Sequence, residues 1–145
     1  MVDLKKDYLL MNGADLAYLG DAYYELQIRT YLLSKGITKN KELKEMSTKF
    51  VSAHAHKIIC AELLKHLTEE EMAIYKRGRN GAPHNRRKNL DYTEYTISSG
   101  FEAIIGYLYL AEKWNRLNEI ISLAIQIVEG GIKWIFMVKT LFVKP

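Results

Sequence analysis

The hydrophobic positions of this chain recur at helical spacing almost from end to end. Between residues 14 and 33, positions that step by three and four form one stripe. Its members are Leu16, Leu19, Tyr23, Leu26, Thr30 and Leu33. The stripe predicts a helix over 14–33, with Asn12 as its N-cap and Gly36 as its C-terminal stop. No segment alternates like a strand over a useful length, so the sequence predicts an all-α domain.

The same spacing predicts four more helices. Their ranges are, in order, 41–66, 68–78, 93–113 and 116–129. Thr68 and Glu71 form a capping box at the start of the short helix, and Gly130 with Gly131 closes the last. The stretch 78–90 contains Gly, Pro and Asn without apolar periodicity, which predicts a loop.

Length and composition predict a single globular domain with a hydrophobic core. The chain has 145 residues, of which 48% are hydrophobic and 26% charged, so disorder is excluded. A single cysteine, Cys60, excludes an intramolecular disulfide and indicates a reducing cytoplasm. No run of about 18 apolar residues exists, so we expect no membrane partner. The predicted domain is 1–130, and 131–145 is an apolar, lysine-interrupted extension of unknown packing, against the domain, a second subunit or a membrane surface.

Asp21 lies in unusual surroundings for a surface carboxylate. Its helical neighbours include Ala17, Tyr24 and Ile28, and only Glu25, at i+4, is polar. A helix that is apolar nearly all round is expected to be buried on more than one side. A buried carboxylate must be paired, protonated or bound to a metal.

Glu102 repeats this anomaly in the segment FEAIIGYLYL, where its one polar helical neighbour is Ser99. Each helix also contains a glycine, Gly20 or Gly106, that allows another helix to approach closely. We therefore expect Asp21 and Glu102 to share a polar pocket where the two helices cross.

The residue types around these two carboxylates leave two interpretations. Oxygen ligands without clustered Cys or His favour Mg²⁺, with Mn²⁺ as a substitute, and such an ion can activate water against a phosphodiester. Alternatively, each carboxylate pairs with a buried Lys or Arg. Neither helix supplies a basic residue at i±3 or i±4 of Asp21 or Glu102, which weakens the ion-pair alternative.

The segment KRGRNGAPHNRRK, residues 76–88, carries six cations and no acid. The rest of the chain has 15 basic and 17 acidic residues, 15 − 17 = −2, so the basic excess is local. A polyanion is the natural partner of such a segment, although a solvated loop is the alternative. The candidate RNA-binding residues are Lys76, Arg77, Arg79, Asn80, His84, Asn85, Arg86, Arg87 and Lys88.

Two segments resemble the catalytic signatures of the ribonuclease III family. They are LAYLGDAYYEL, residues 16–26, and SGFEAIIGYLYL, residues 99–110, within a resemblance that covers residues 12–129. The match is most similar to the short bacterial subfamily, Mini-ribonuclease III, which has no double-stranded-RNA-binding domain. The resemblance implies that Asp21 is the essential aspartate and Glu102 the essential glutamate, as catalytic residues and metal ligands.

The chain departs from the wider family at two acidic positions. Ala17 stands where the full-length family has a glutamate, and Ser99 where it has an aspartate. This leaves the number of metals open, although the subfamily is similar in this reduced set of acids. Only about 43 residues follow Glu102, too few for an appended RNA-binding domain.

The resemblance implies a ribonuclease III-type endonuclease domain that forms a homodimer and cuts double-stranded RNA with Mg²⁺. It implies 5′-phosphate and 3′-hydroxyl ends, and the precursor of the 23S ribosomal RNA as the substrate. One alternative is a non-catalytic dimer that binds structured RNA, for which Ala17 and Ser99 argue. A weaker alternative is a helical protein-interaction domain.

Overall fold

The computed structural model describes residues 8–82 and 91–130, which form six α-helices and one 3-10 turn. In chain order these are α1 Gly13–Ser34, α2 Asn40–Val51, α3 Ala53–Leu63, the turn Leu64–His66, α4 Glu69–Asn80, α5 Tyr92–Leu110 and α6 Trp114–Val128. Within the described ranges there is no strand, which confirms the all-α prediction. None of these helices is long and apolar enough to cross a membrane. The extension 131–145 lies outside the described residues.

Helix α5 is the centre of the core. It packs against α1, α3, α4 and α6, and its side chains are buried along most of its length. This explains why its sequence is apolar nearly all round. The fully enclosed residues of this helix include Phe101, Ala103, Ile104, Ile105 and Leu108.

The predicted ends of α1 are confirmed. The side chain of Asn12 accepts a hydrogen bond from the backbone N–H of Asp15 at 2.8 Å. At the other end Gly36 has a φ of +84°, and the N–H of Ile37 donates to the carbonyl of Leu32. This left-handed glycine closes the helix with the bonds of a Schellman motif.

The predicted capping box of α4 is present and has a second function. Thr68 and Glu71 exchange side-chain and backbone hydrogen bonds at the start of the helix. The carboxylate of Glu71 is buried and also accepts two bonds from the Arg116 guanidinium, both at 2.8 Å. Burial alone would raise the pKa of Glu71, but the bonds from Arg116 and Thr68 hold it below its usual value. The capping residue Glu71 therefore also links α4 to α6 through Arg116.

The prediction of a single helix over 41–66 is wrong, because the helix is interrupted at Ser52. Its ψ of 158° is extended, and its hydroxyl accepts a bond from the N–H of Ala55 at 3.0 Å. A serine that caps a new helix competes with continuation of the previous one. Two shorter helices, α2 and α3, result.

The apolar stripe that predicts α1 does not mark the buried side of the helix, although both include Leu16. Leu26 and Leu33 are 58% and 54% exposed. The buried side of α1 instead carries Leu16, Ala17, Gly20, Tyr24, Ile28 and Leu32. The helix has two apolar faces, and the one with small residues lies against α5 because that approach is close.

The predicted loop 78–90 begins too early. Helix α4 continues to Asn80, so Lys76 and the next four residues of the basic segment are helical. Gly78 does not end the helix. A Cβ at Gly78 would lie 2.7 Å from the carbonyl oxygen of Ser99, so this glycine allows α4 to pack on α5. Residues 83–90 lie outside the described residues.

The bounds of the last two helices differ slightly from those predicted. Helix α5 ends at Leu110, three residues early, because Glu112 has a φ of +56° and turns the chain. Helix α6 begins at Trp114 and ends at Val128. Gly130, with a φ of +111°, follows it as predicted, whereas Gly131 is not described.

The backbones of α1 and α5 touch where they cross. A Cβ on Gly20 would overlap the carbonyl oxygen of Glu102, and one on Gly106 would overlap that of Leu16. No side chain separates the helices at this point. The crossing therefore requires glycine at both positions.

We expect Gly106→Ala to destabilise the fold by about 3 kcal/mol or more, because rigid backbone atoms cannot move away from the added methyl. The control is Gly36→Ala, where nothing lies within 4 Å but the positive φ costs about 1–2 kcal/mol. Urea unfolding of both variants measures the difference. Equal losses would show that the crossing tolerates a side chain.

His56 is a buried histidine between α1, α3 and α5. Its Nδ1 lies 2.7 Å from the Ser98 hydroxyl, and its ring packs against the rings of Tyr24 and Phe101. Burial lowers the pKa of His56 to about 4, against the opposing effect of the Phe50 carbonyl. The folded protein therefore keeps this imidazole neutral.

We expect this histidine to make stability depend on pH. Because the pKa of His56 is lower in the folded protein, the neutral imidazole makes its full contribution to the free energy of unfolding above the unfolded pKa of about 6.5. This contribution is lost as the pH falls toward 4. The loss in the free energy of unfolding is on the order of 3 kcal/mol.

Urea unfolding at pH 7.5, 6 and 5 measures it as the stability difference between the wild type and His56→Gln, because the raised pKa of the buried Glu102 carboxyl changes wild-type stability in the opposite direction over this range. This difference should shrink as the pH falls, whereas the difference between the wild type and His66→Gln, on an exposed side chain, should stay constant. A difference between the wild type and His56→Gln that does not change with pH would contradict this account.

Candidate active site

The crossing of α1 and α5 brings Asp21 and Glu102 together. Asp21 directly follows Gly20, whose backbone contacts that of Glu102. The two carboxyl groups are close enough to share a hydrogen bond. The structure thus places in one site two acids that are far apart in the sequence, as predicted.

The surroundings of Glu102 disfavour the charged form of its carboxyl group. Burial raises the pKa of Glu102 to about 9, helped by the hydrogen bond and charge of Asp21 and by the charge of Glu25. In the part of the chain that the structure describes, neither Asp21 nor Glu102 forms an ion pair with a Lys or Arg. The alternative of two buried structural ion pairs is therefore not supported by the described residues.

Asp21 is exposed, which corrects the expectation that it would be buried on this helix. The second apolar face of α1 is open in the single chain, and Asp21 lies at its border. Glu102 is half-buried beside it. The pair is therefore accessible from solvent on the side of Asp21 and enclosed on the side of Glu102.

Ala17 and Ser99 are both buried, and neither side chain carries a carboxylate that could join the pair. Glu25 is a third acid nearby, half-buried and bonded to Arg29 at 3.0 Å. Glu25 was not predicted as part of the site, although its position four residues after Asp21 places both on the same side of α1. Among the described residues, no group of three or more His, Cys, Asp or Glu side chains is arranged to hold a metal ion.

The helical part of the basic segment is anchored next to this pair. Gly78 of α4 packs against the backbone of Ser99 and Gly100, just before Glu102, and the carbonyl of Arg77 lies against Gly13 at the start of α1. The chain leaves α4 two residues later. Lys76, Arg79 and Asn80 have exposed side chains on this last part of α4.

Arg77 also has a structural contact that the sequence analysis did not predict. Its guanidinium donates to the carbonyls of Leu9 and Met11, at 3.0 and 3.2 Å, and so holds the N-terminal segment on α4. The guanidinium of Arg79 lies over the ring of Tyr75, 5.7 Å from its centre. The predicted RNA-binding residues His84, Asn85, Arg86, Arg87 and Lys88 lie outside the described residues.

Known proteins match this chain over most of its length. The Ribonuclease III domain model matches residues 14–113. The Mini-ribonuclease 3 of Streptococcus pneumoniae is 47% identical over 126 residues, which cover 86% of this chain and 98% of that protein. The Mini-ribonuclease 3 of Enterococcus faecalis is 46% identical over 123 residues, 83% of this chain and 93% of that protein.

The fold is also similar to a solved structure. A crystal structure of a protein from Fusobacterium nucleatum superposes with a TM-score of 0.73 at 33% identity, and covers 83% of this chain and 96% of that one. Helical architecture, paired acids and sequence matches agree. The chain belongs to the ribonuclease III family and is an endoribonuclease. Within that family it is similar to the short Mini-ribonuclease 3 proteins over nearly their whole length.

Proposed function

We propose that this endoribonuclease hydrolyses double-stranded RNA with Mg²⁺, and that Asp21 and Glu102 are its catalytic acids. The observation that carries the proposal is their meeting at the α1–α5 crossing without a cationic partner among the described residues. We further propose the 23S ribosomal RNA precursor, in the cytoplasm, as the substrate. The similarity to Mini-ribonuclease 3 proteins supports this finer assignment.

The donor set fits a divalent cation. Burial and the neighbouring Asp21 raise the pKa of the Glu102 carboxyl, and a cation bound there would stabilise its charged form. Oxygen ligands of this kind suit Mg²⁺, with Mn²⁺ as a substitute. When bound, such a cation supplies water activation and stabilisation of negative charge on a phosphodiester. Asp21 and Glu102 would hold it.

The other residues of the chain position the RNA. Lys76, Arg79 and Asn80 present two cations and an amide at the end of α4, and the segment that follows adds His84, Asn85, Arg86, Arg87 and Lys88. Cations and amides bind phosphate oxygens and ribose hydroxyls. Arg77 belongs to the same segment, but its bonds to Leu9 and Met11 already engage one of its nitrogens. Cleavage would leave 5′-phosphate and 3′-hydroxyl ends.

We expect Glu102→Gln to abolish cleavage of a labelled RNA duplex in Mg²⁺, because the amide keeps the shape of the side chain but cannot carry the negative charge. The matched control is Glu45→Gln on the exposed surface of α2, which should retain wild-type turnover. EDTA should stop the wild-type enzyme. Turnover by Glu102→Gln would contradict the assignment, and wild-type binding without any cleavage would leave an RNA-binding dimer instead.

We also propose a homodimer, formed through the outer face of α1. Tyr18 is 80% exposed there, and Leu26, 58% exposed, follows along the same face. Trp114 and Tyr109 are also exposed and their rings meet edge to face, while Tyr109 contacts Tyr23 of α1. A contiguous apolar surface of this kind marks an interface, and a twofold axis would bury it on both copies.

Sedimentation velocity tests the dimer. We expect the wild type to sediment as a dimer and Leu26→Lys as a monomer, because the interface would have to bury the new charge. The control is Ile58→Lys, which adds the same charge at an exposed apolar position of α3. A monomeric wild type, or a dimer that survives Leu26→Lys, would contradict this interface.

A further inference from the structure

A groove of about 550 Å³ lies between the C-terminal half of α1 and α2. Its α1 wall is formed by Glu25, Arg29 and Leu33. The facing wall on α2 includes Lys44 and Thr48. Among residues 76–82, the described part of the basic segment, none lines it.

This groove begins beside the acid pair. Asp21, Glu25 and Arg29 follow one another at intervals of four residues, so they form one row along α1 with steps of about 6 Å. Glu25 lines the end of the groove, and its charge acts on the carboxyl of Glu102. A polymer bound at the acid pair therefore reaches the groove at Glu25 or Arg29, one or two helical turns further along α1.

The lining suits a sugar–phosphate backbone. Lys44 has an exposed ammonium group that forms no ion pair with any described residue. The hydroxyls of Ser47 and Thr48 donate to carbonyls of their own helix, which leaves their oxygens free to accept from ribose hydroxyls. Leu43 and Val51 offer aliphatic surface between these polar groups.

We propose that the α1–α2 groove binds the RNA backbone next to the cleaved bond, with Lys44 on a phosphate. This subsite rests on the proposed function and extends it to a surface outside the basic segment. The groove continues from the acid pair, and the Lys44 ammonium in it forms no ion pair with any described residue. Both features favour RNA over a peptide as the ligand, because a peptide ligand does not need to lie next to the acid pair.

The test compares Lys44→Gln with Lys49→Gln, both in the Glu102→Gln background so that the duplex stays intact. Each variant removes one exposed charge from α2, but Lys49 does not line the groove. Binding of a labelled RNA duplex is measured between 50 and 300 mM salt, and thermal melting checks the fold. We expect Lys44→Gln to bind about threefold to tenfold more weakly. Its log–log salt slope should fall by roughly 0.9, the value for one phosphate contact in B-form DNA.

The control Lys49→Gln should bind within about twofold of its parent. Equal binding and equal slopes for the two variants would overturn the groove assignment, even if the wild type cuts RNA. A wild type that neither binds nor cuts the duplex would overturn the proposed function together with it. In the wild-type background, Lys44→Gln should raise KM for the duplex and leave kcat unchanged, which a structural role would not produce.

Discussion

The backbone contact between α1 and α5 is the constraint on which the rest of this structure depends. Gly20 and Gly106 allow the two helices to cross with no side chain between them. The face of α1 with small residues must therefore point inward, and the face with Tyr18 and Leu26 must point outward. The same contact sets the distance between the two acids, since Asp21 follows Gly20 directly and Glu102 lies opposite it.

This arrangement concentrates acidic side chains in a small volume. Two acids from different helices meet at the edge of the core, with a third, Glu25, one turn away. The charged form of Glu102 is disfavoured there, and no Lys or Arg of the described chain forms an ion pair with it. Stability and the proposed chemistry are thus linked, because the fold keeps a polar pair that favours a bound cation.

The sequence predicted the features that depend on local chemistry. Asn12, Gly36 and Thr68 marked helix ends correctly, because caps and left-handed glycines act within a few residues. The meeting of Asp21 and Glu102 was also predicted, since a carboxylate in an apolar helix requires a partner and each helix carried a glycine for close approach.

Features that depend on packing were not predicted. Periodicity did not show which of two apolar faces of α1 would be buried, since that depends on how closely α5 approaches. The break at Ser52 depends on where α3 packs, because the same serine is compatible with a continuous helix. The bonds of Arg77 to Leu9 and Met11 join segments far apart in the chain. No local pattern reports such a contact.

The central claim is that Asp21 and Glu102 form one cation site. Mn²⁺ binding, followed by the electron paramagnetic resonance of the free ion, tests it on the wild type, Asp21→Asn, Glu102→Gln and the double variant. If the two acids act as one site, each single variant should lose at least about tenfold in affinity, and the double variant should lose little more. Wild-type affinity in either single variant, or losses that simply add, would show that the two acids do not hold a common ion.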